Sequence, residues 1–149
     1  MAERNQNYKI LGLLAQLSVL VVEDSVFDRE LAVATIKKIG IRKVHVAENG
    51  SSAVAKIQNA LAVRRPFDII FLDARMPVQD GVSLLKWIRN EPKLRDQIVI
   101  MTSASSAIAE VAELIDLGIS SYVVKPLTVD VLQTKIYEAL SLQKDRHAS

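Results

Sequence analysis

The chain has 149 residues, half of them hydrophobic and 24% charged, which fits one globular domain with a real core and argues against disorder. A formal net charge of +2 demands no nucleic-acid partner. The absence of cysteine excludes disulfides, thiol catalysis and cysteine-ligated zinc, and fits a cytoplasmic location.

The first seventeen residues stand before the regular pattern. Ile10, Leu11, Leu13, Leu14 and Leu17 are spaced for a short amphipathic helix. Three readings of it stay open: a helix packed on its own domain, a docking or dimerisation element, and an unstructured arm. The apolar run from Ile10 to Val22 is short for a membrane span and meets Glu23-Asp24 without a small-residue cleavage site, so neither membrane insertion nor a signal peptide is expected. Its second half, about Ser18 to Val22, is the first strand. Ser25, with Asp28 three residues on, resembles a capping box and starts a helix to about Lys38, which Gly40 stops. Lys37-Lys38, Arg42-Lys43 and Arg64-Arg65 read as solvated surface that complements helix dipoles.

Strand two is about Val44 to Ala47. Glu48-Asn49-Gly50 turns the chain, and Ser51 opens a helix reaching about Val63. Pro66 precedes strand three, Asp68 to Leu72. The loop from Ala74 to Asp80 contains Pro77, and Gly81 leads into a helix to about Asn90, beyond which Pro92 blocks continuation. Strand four is Ile98 to Met101. A helix from about Ser106 to Leu117 stops at Gly118. Strand five is Tyr122 to Val124, and Thr128 caps a last helix to about Leu142. Five alternating strand–helix units predict a doubly wound α/β domain with a parallel sheet and helices on both faces. Right-handed crossovers put the loops after strands one, three, four and five at one edge.

Each of those loops begins with polar chemistry. Glu23-Asp24 end the first apolar run, Asp73 ends the third, Thr102-Ser103 follow the fourth and Lys125-Pro126 the fifth. Carboxylates gathered at one edge repel, a pair at about 4 Å costing about 4 kcal/mol at an effective dielectric near 20. Lys125 offsets part of this. Hard oxygen donors in an open site suit Mg2+, with Mn2+ an alternative, and no histidine or cysteine nearby suggests zinc. A carboxylate beside such an ion and an ammonium can attack a phosphoryl group and form an aspartyl phosphate. A hydroxyl at Thr102 could then bond a phosphoryl oxygen and, in moving, vacate space beneath Tyr122. Singly, each residue has a plainer use: Asp73 as a loop or capping acid, Thr102 as a helix cap. Their order and spacing carry the reading.

In these stretches the sequence resembles the receiver domain of two-component response regulators. The matching segments are Val19 to Ser25, Phe67 to Pro77, Asp80-Gly81, Ile100 to Ser103 and Tyr122 to Pro126. The resemblance covers about residues 17 to 142, leaving an N-terminal extension over 1–16 and a tail over 143–149. It implies a flavodoxin-like five-stranded sheet of order 2-1-3-4-5. It implies Asp73 as phosphoacceptor, Asp24 as direct metal ligand, Glu23 holding the metal through water, and Arg75 contributing its backbone carbonyl. Thr102 and Lys125 are implied as the phosphoryl-binding hydroxyl and ammonium, Thr102 and Tyr122 as the switch, and the Lys125–Pro126 bond as cis. Three positions depart from the common pattern. Glu23 replaces the commoner aspartate, Gln97 stands where many receivers carry proline, and Arg75 sets a cation beside the site.

The implied activity is that of a phosphoacceptor signalling domain rather than an enzyme, limited to self-catalysed, Mg-dependent phosphotransfer and slow autodephosphorylation. The implied partners are a sensor histidine kinase or histidine phosphotransfer protein, and a downstream protein docking on the helix before strand five, strand five and the last helix. Seven residues after the last helix leave no room for an output domain, so a stand-alone chemotaxis-type regulator is expected. The alternatives are a phosphorylation-independent adaptor and a receiver excised from a larger regulator. A flavodoxin lacks support because the first loop has no Ser/Thr/Gly-rich cradle, and an aspartate-based phosphatase because Arg75 replaces its second acid.

Overall fold

The computed structural model describes residues 2–76 and 81–148. In chain order the elements are α1 (Ala2–Gln16), β1 (Ser18–Val22), α2 (Val26–Ile39), β2 (Lys43–Ala47), α3 (Gly50–Ala62) and β3 (Ile69–Asp73). Then come α4 (Gly81–Asn90), a 3-10 turn (Pro92–Leu94), β4 (Ile98–Ser103), α5 (Ile108–Asp116), β5 (Ser121–Val124) and α6 (Val129–Ala148). The five strands are parallel in the order β2-β1-β3-β4-β5, the doubly wound sheet expected.

The three central strands are buried along nearly their whole length, because helices cover both faces. Strand periodicity sorts their side chains into two layers. Val19, Val21, Ile69, Phe71, Ile98 and Ile100 meet Ile36 of α2 and Leu132 and Ile136 of α6. Leu20, Val22, Ile70, Leu72, Val99 and Met101 meet Ile57 of α3, Leu85 and Ile88 of α4 and Leu114 of α5, with Trp87 packed against this layer. Each fully buried aliphatic side chain contributes about 1.5–3 kcal/mol of transfer free energy. The α1 helix inserts Leu14 into the first layer and packs Ile10 against it, as does Leu17 just after the helix, while Tyr8, Leu11 and Leu13 remain exposed.

Local chemistry sets the boundaries. Ser25 Oγ accepts the Asp28 amide at 3.3 Å, and Gly40 closes α2 at φ 118°, where a side chain would be strained. Asn49 Oδ1 accepts the Ser52 amide at 2.8 Å, so Asn49 rather than a serine caps α3. Asp68 falls outside β3 because its carboxylate takes the Ser18 amide at 2.7 Å, and Asp73 joins the strand instead. Strand β4 extends past Met101 because Asp73 pairs in register with Thr102, and Thr102 and Ser103 carbonyls accept the Ala74 and Lys125 amides, both at 2.8 Å. Helix α5 starts at Ile108, later than Ser106. Ser103 Oγ and Ser105 Oγ take the amides of Ser105 and Ala107 and hold that segment in turns. Helix α6 continues beyond Leu142 to Ala148. The Pro77-to-Asp80 part of the expected loop, and with it the Asp80 match, lies outside the described residues.

Candidate acidic site at the carboxyl edge of the sheet

Glu23 leaves β1 with its amide still bonded to the Ala47 carbonyl at 3.0 Å, so the strand pairing directs its side chain. It is only 4% exposed, and Asp73, the last residue of β3, 6%. Asp24 beside them is exposed. Carboxylate oxygens of Glu23, Asp24 and Asp73 all lie within 4.8 Å of one another. Lys125, at the end of β5, sends its ammonium among them: Nζ is 2.8 Å from Glu23 Oε2, 3.2 Å from Asp28 Oδ2 and 3.6 Å from Asp73 Oδ2. The Lys125–Pro126 peptide that follows is cis. Glu23 Oε1 also takes the Ser25 amide at 3.2 Å, and Arg29 Nη1 donates to the Glu23 carbonyl at 3.0 Å.

One ammonium does not neutralise this cluster. Burial, reinforced by the charge on Asp73, raises the Glu23 carboxyl from 4.5 to about 7, against the opposing hydrogen bond and charge of Lys125. Burial works against the charge on Lys125, but bonding to Glu23 and the nearby Asp73 and Asp28 carboxylates outweigh it and keep its pKa above normal. The site therefore holds spare negative charge. Its donors are all hard oxygens, within described residues that include no histidine or cysteine at this cluster. That set suits a small divalent cation.

Two elements close the site's sides. The Arg75 amide donates to Asp73 Oδ1 at 3.2 Å, and its guanidinium forms an ion pair with Glu110 on the first turn of α5. The Glu110 carboxyl is held below its usual pKa, first by a hydrogen bond with Ser105 and then by Arg75. Gly81 opens α4 so close to β3 that a Cβ there would sit 2.1 Å from the Asp73 carbonyl oxygen. Thr102 is buried, and its hydroxyl donates to the Leu72 carbonyl at 3.4 Å. The Tyr122 ring is half-buried, and its hydroxyl donates to the Ser105 carbonyl. The recess in front of Asp73 has a volume of about 620 Å³, with Glu23, Asp24, Asp28, Ser103 and Lys125 on its walls.

The structure thus brings Glu23, Asp24, Asp73 and Lys125 into one contact group, with Thr102 paired beside Asp73. Tyr122 and the Arg75 side chain lie on the α5 flank. Two participants escaped the sequence reading. Asp28 had a sufficient local explanation in the α2 cap, although its place in the first turn after Glu23-Asp24 also aims it at the same edge. Glu110 carried no signal beyond being an acid in a first helical turn.

A parallel sheet of this order, with acids and a lysine converging at its carboxyl edge, is the build of a receiver-type signalling domain. The model of the response regulator receiver domain matches residues 19–137. The CheY homolog of Campylobacter jejuni is 32% identical over 124 residues, covering 83% of this chain and 92% of that protein. CheY1 of Helicobacter pylori is 29% identical over 120 residues, 80% of this chain and 94% of that one. Among solved structures, CheY4 of Vibrio cholerae superposes with a TM-score of 0.72 at 27% identity, over 83% of this chain and 98% of that one. The Borrelia burgdorferi CheX–CheY complex with beryllofluoride and Mg2+ gives 0.74 at 29% identity, over 83% and 89%. The chain belongs to the response regulator receiver domain family. No helix among the described residues is long and apolar enough to cross a membrane.

Proposed function

We propose that the protein is a phosphorylation-controlled signalling receiver. It takes a phosphoryl group onto Asp73 from the phosphohistidine of a sensor histidine kinase or phosphotransfer protein. The observation that carries this reading is the convergence of Asp73 with Lys125 at 3.6 Å inside a carboxylate cluster that has spare negative charge. Asp24 and Asp73 would hold Mg2+ directly, Glu23 through water and Arg75 through its backbone carbonyl; the ion would offset charge on the transferring oxygens.

In the transfer, an Asp73 carboxylate oxygen forms the new bond to phosphorus. The phosphorus–nitrogen bond breaks, and its electron pair returns to the imidazole. The Lys125 ammonium neutralises the incoming oxygens. Thr102 turns its hydroxyl from the Leu72 carbonyl to a phosphoryl oxygen, which repacks the space next to Tyr122 and alters the surface of α5, β5 and α6. A downstream protein reads that surface. CheY relatives are matched over more than nine-tenths of their length, which supports a stand-alone role for this chain too.

The test is intact mass after incubation with acetyl phosphate and Mg2+. One added phosphate is expected for the wild type and none for Asp73→Asn. Equal labelling of both proteins would remove Asp73 from the role.

A further inference from the structure

A second recess, of about 470 Å³, lies between the start of α4 and α5, on the flank of α5 away from α6. Its floor is apolar: Met76, Val82, Leu114 and the Tyr122 ring. Its α5 wall is acidic, with Glu110 and Glu113 one turn apart. Among its described lining residues one cation is present, Arg75, and its guanidinium is already seated on Glu110. That ion pair is exposed, 73% at Arg75 and 39% at Glu110, so it is a weak closure that competing charge can open.

We propose that this recess is a docking groove for a basic segment of a partner protein, and that Arg75 is its internal plug. A lysine or arginine side chain matches the groove in both parts. Its aliphatic stem covers the Met76, Val82 and Leu114 floor, and its charge meets Glu110 and Glu113. The Arg75 guanidinium on Glu110 shows that such a group fits the wall. The regulation rests on the phosphoacceptor reading above. The Arg75 amide is bonded to Asp73, so its side chain springs from the rim of the acidic site. Phosphoryl oxygens on Asp73 offer the guanidinium charged acceptors in place of Glu110 and so empty the acidic wall for the partner. Ser105 takes the Tyr122 hydroxyl on its carbonyl and is also hydrogen-bonded to Glu110, so the plug and Tyr122 meet at that residue.

The probe is a short fluorescent amphipathic peptide of lysine and leucine, with a glutamate-and-leucine peptide of the same pattern as control. Anisotropy should show the cationic peptide binding Arg75→Ala about tenfold more tightly than the wild type in plain buffer, the scale of a modest coupling between sites. The Glu110→Gln/Glu113→Gln double variant should lose binding. Beryllofluoride with Mg2+ should raise wild-type affinity towards that of Arg75→Ala. Amide shifts on peptide addition should centre on Val82 and Leu114. Equal binding of the acidic control overturns the proposal. So does an unchanged affinity in Arg75→Ala, or shifts centred on Ile108 and Val131. If beryllofluoride leaves the wild-type spectrum unaltered, the phosphoacceptor reading fails, and Arg75→Ala in plain buffer still decides the groove.

Discussion

Lys125 Nζ lies 2.8 Å from Glu23 Oε2, closer than the 3.6 Å to Asp73 Oδ2. The ammonium sits nearer the most deeply buried acid than the residue proposed to react. Relieving the charge on Glu23 therefore frees Lys125 for Asp73.

Glu23 gives the metal-free protein a pH dependence of definite sign. Its carboxyl titrates near 4.5 when exposed and at about 7 in the fold. Between those values the folded chain keeps a proton that the unfolded chain has released. The stability from this group is complete below about 4.5 and is lost as pH rises through about 7. Thermal melts in EDTA across that window should fall with pH for the wild type and be flatter for Glu23→Gln. Parallel profiles would show that Glu23 titrates normally.

Mg2+ should raise the melting temperature, because it would bind the native carboxylate cluster and not the unfolded chain. Asp24→Ala removes one of the three acids and should lose most of that rise. A shift of the same size in both proteins would place the ion elsewhere.

Thr102→Ala should still accept phosphate at Asp73, since Lys125 and the acids remain. It should transmit poorly, because no hydroxyl is left to leave the Leu72 carbonyl. Backbone amide spectra with and without beryllofluoride are the measurement. The expected result is reduced shifts over residues 106–124. Shifts as large as those of the wild type would show that coupling bypasses Thr102.

Gly81→Ala should both destabilise the fold and slow phosphorylation. The added Cβ would meet the Asp73 carbonyl oxygen at 2.1 Å, which backbone on both sides cannot relieve without moving α4. A loss of about 1–3 kcal/mol in denaturant unfolding is expected for such overpacking. Phosphorylation by acetyl phosphate at the wild-type rate would show that α4 can shift without disturbing Asp73.

The strands were legible because each is a short apolar run with a polar stop, and the acids of β1 and β3 mark the edge where they emerge. The start of α2 was legible because Ser25 caps it, whereas Asn49, which caps α3, reads locally as part of a turn. Thr102 and Ser103 are polar, so by sequence alone β4 ends at Met101. Pairing with Asp73 of β3 and with Val123 and Val124 of β5 keeps them in the sheet, and such pairing has no local signature. The beginning of α5 was misplaced for the opposite reason: serine side chains there bond their own backbone and delay the helix. At the site, strand ends placed the main groups. The Asp28–Lys125 and Arg75–Glu110 pairs depend on how long side chains reach across space, which spacing alone does not encode.

The contact between Gly81 and the Asp73 carbonyl has an optical consequence. The chain contains one tryptophan, Trp87, and it sits on the helix that Gly81 begins, half-buried against the second core layer. A displacement of the Asp73 backbone that pushes on Gly81 would therefore move the helix that bears the sole indole. Its emission gives a label-free, real-time signal by which stopped-flow mixing can follow events at the acidic site.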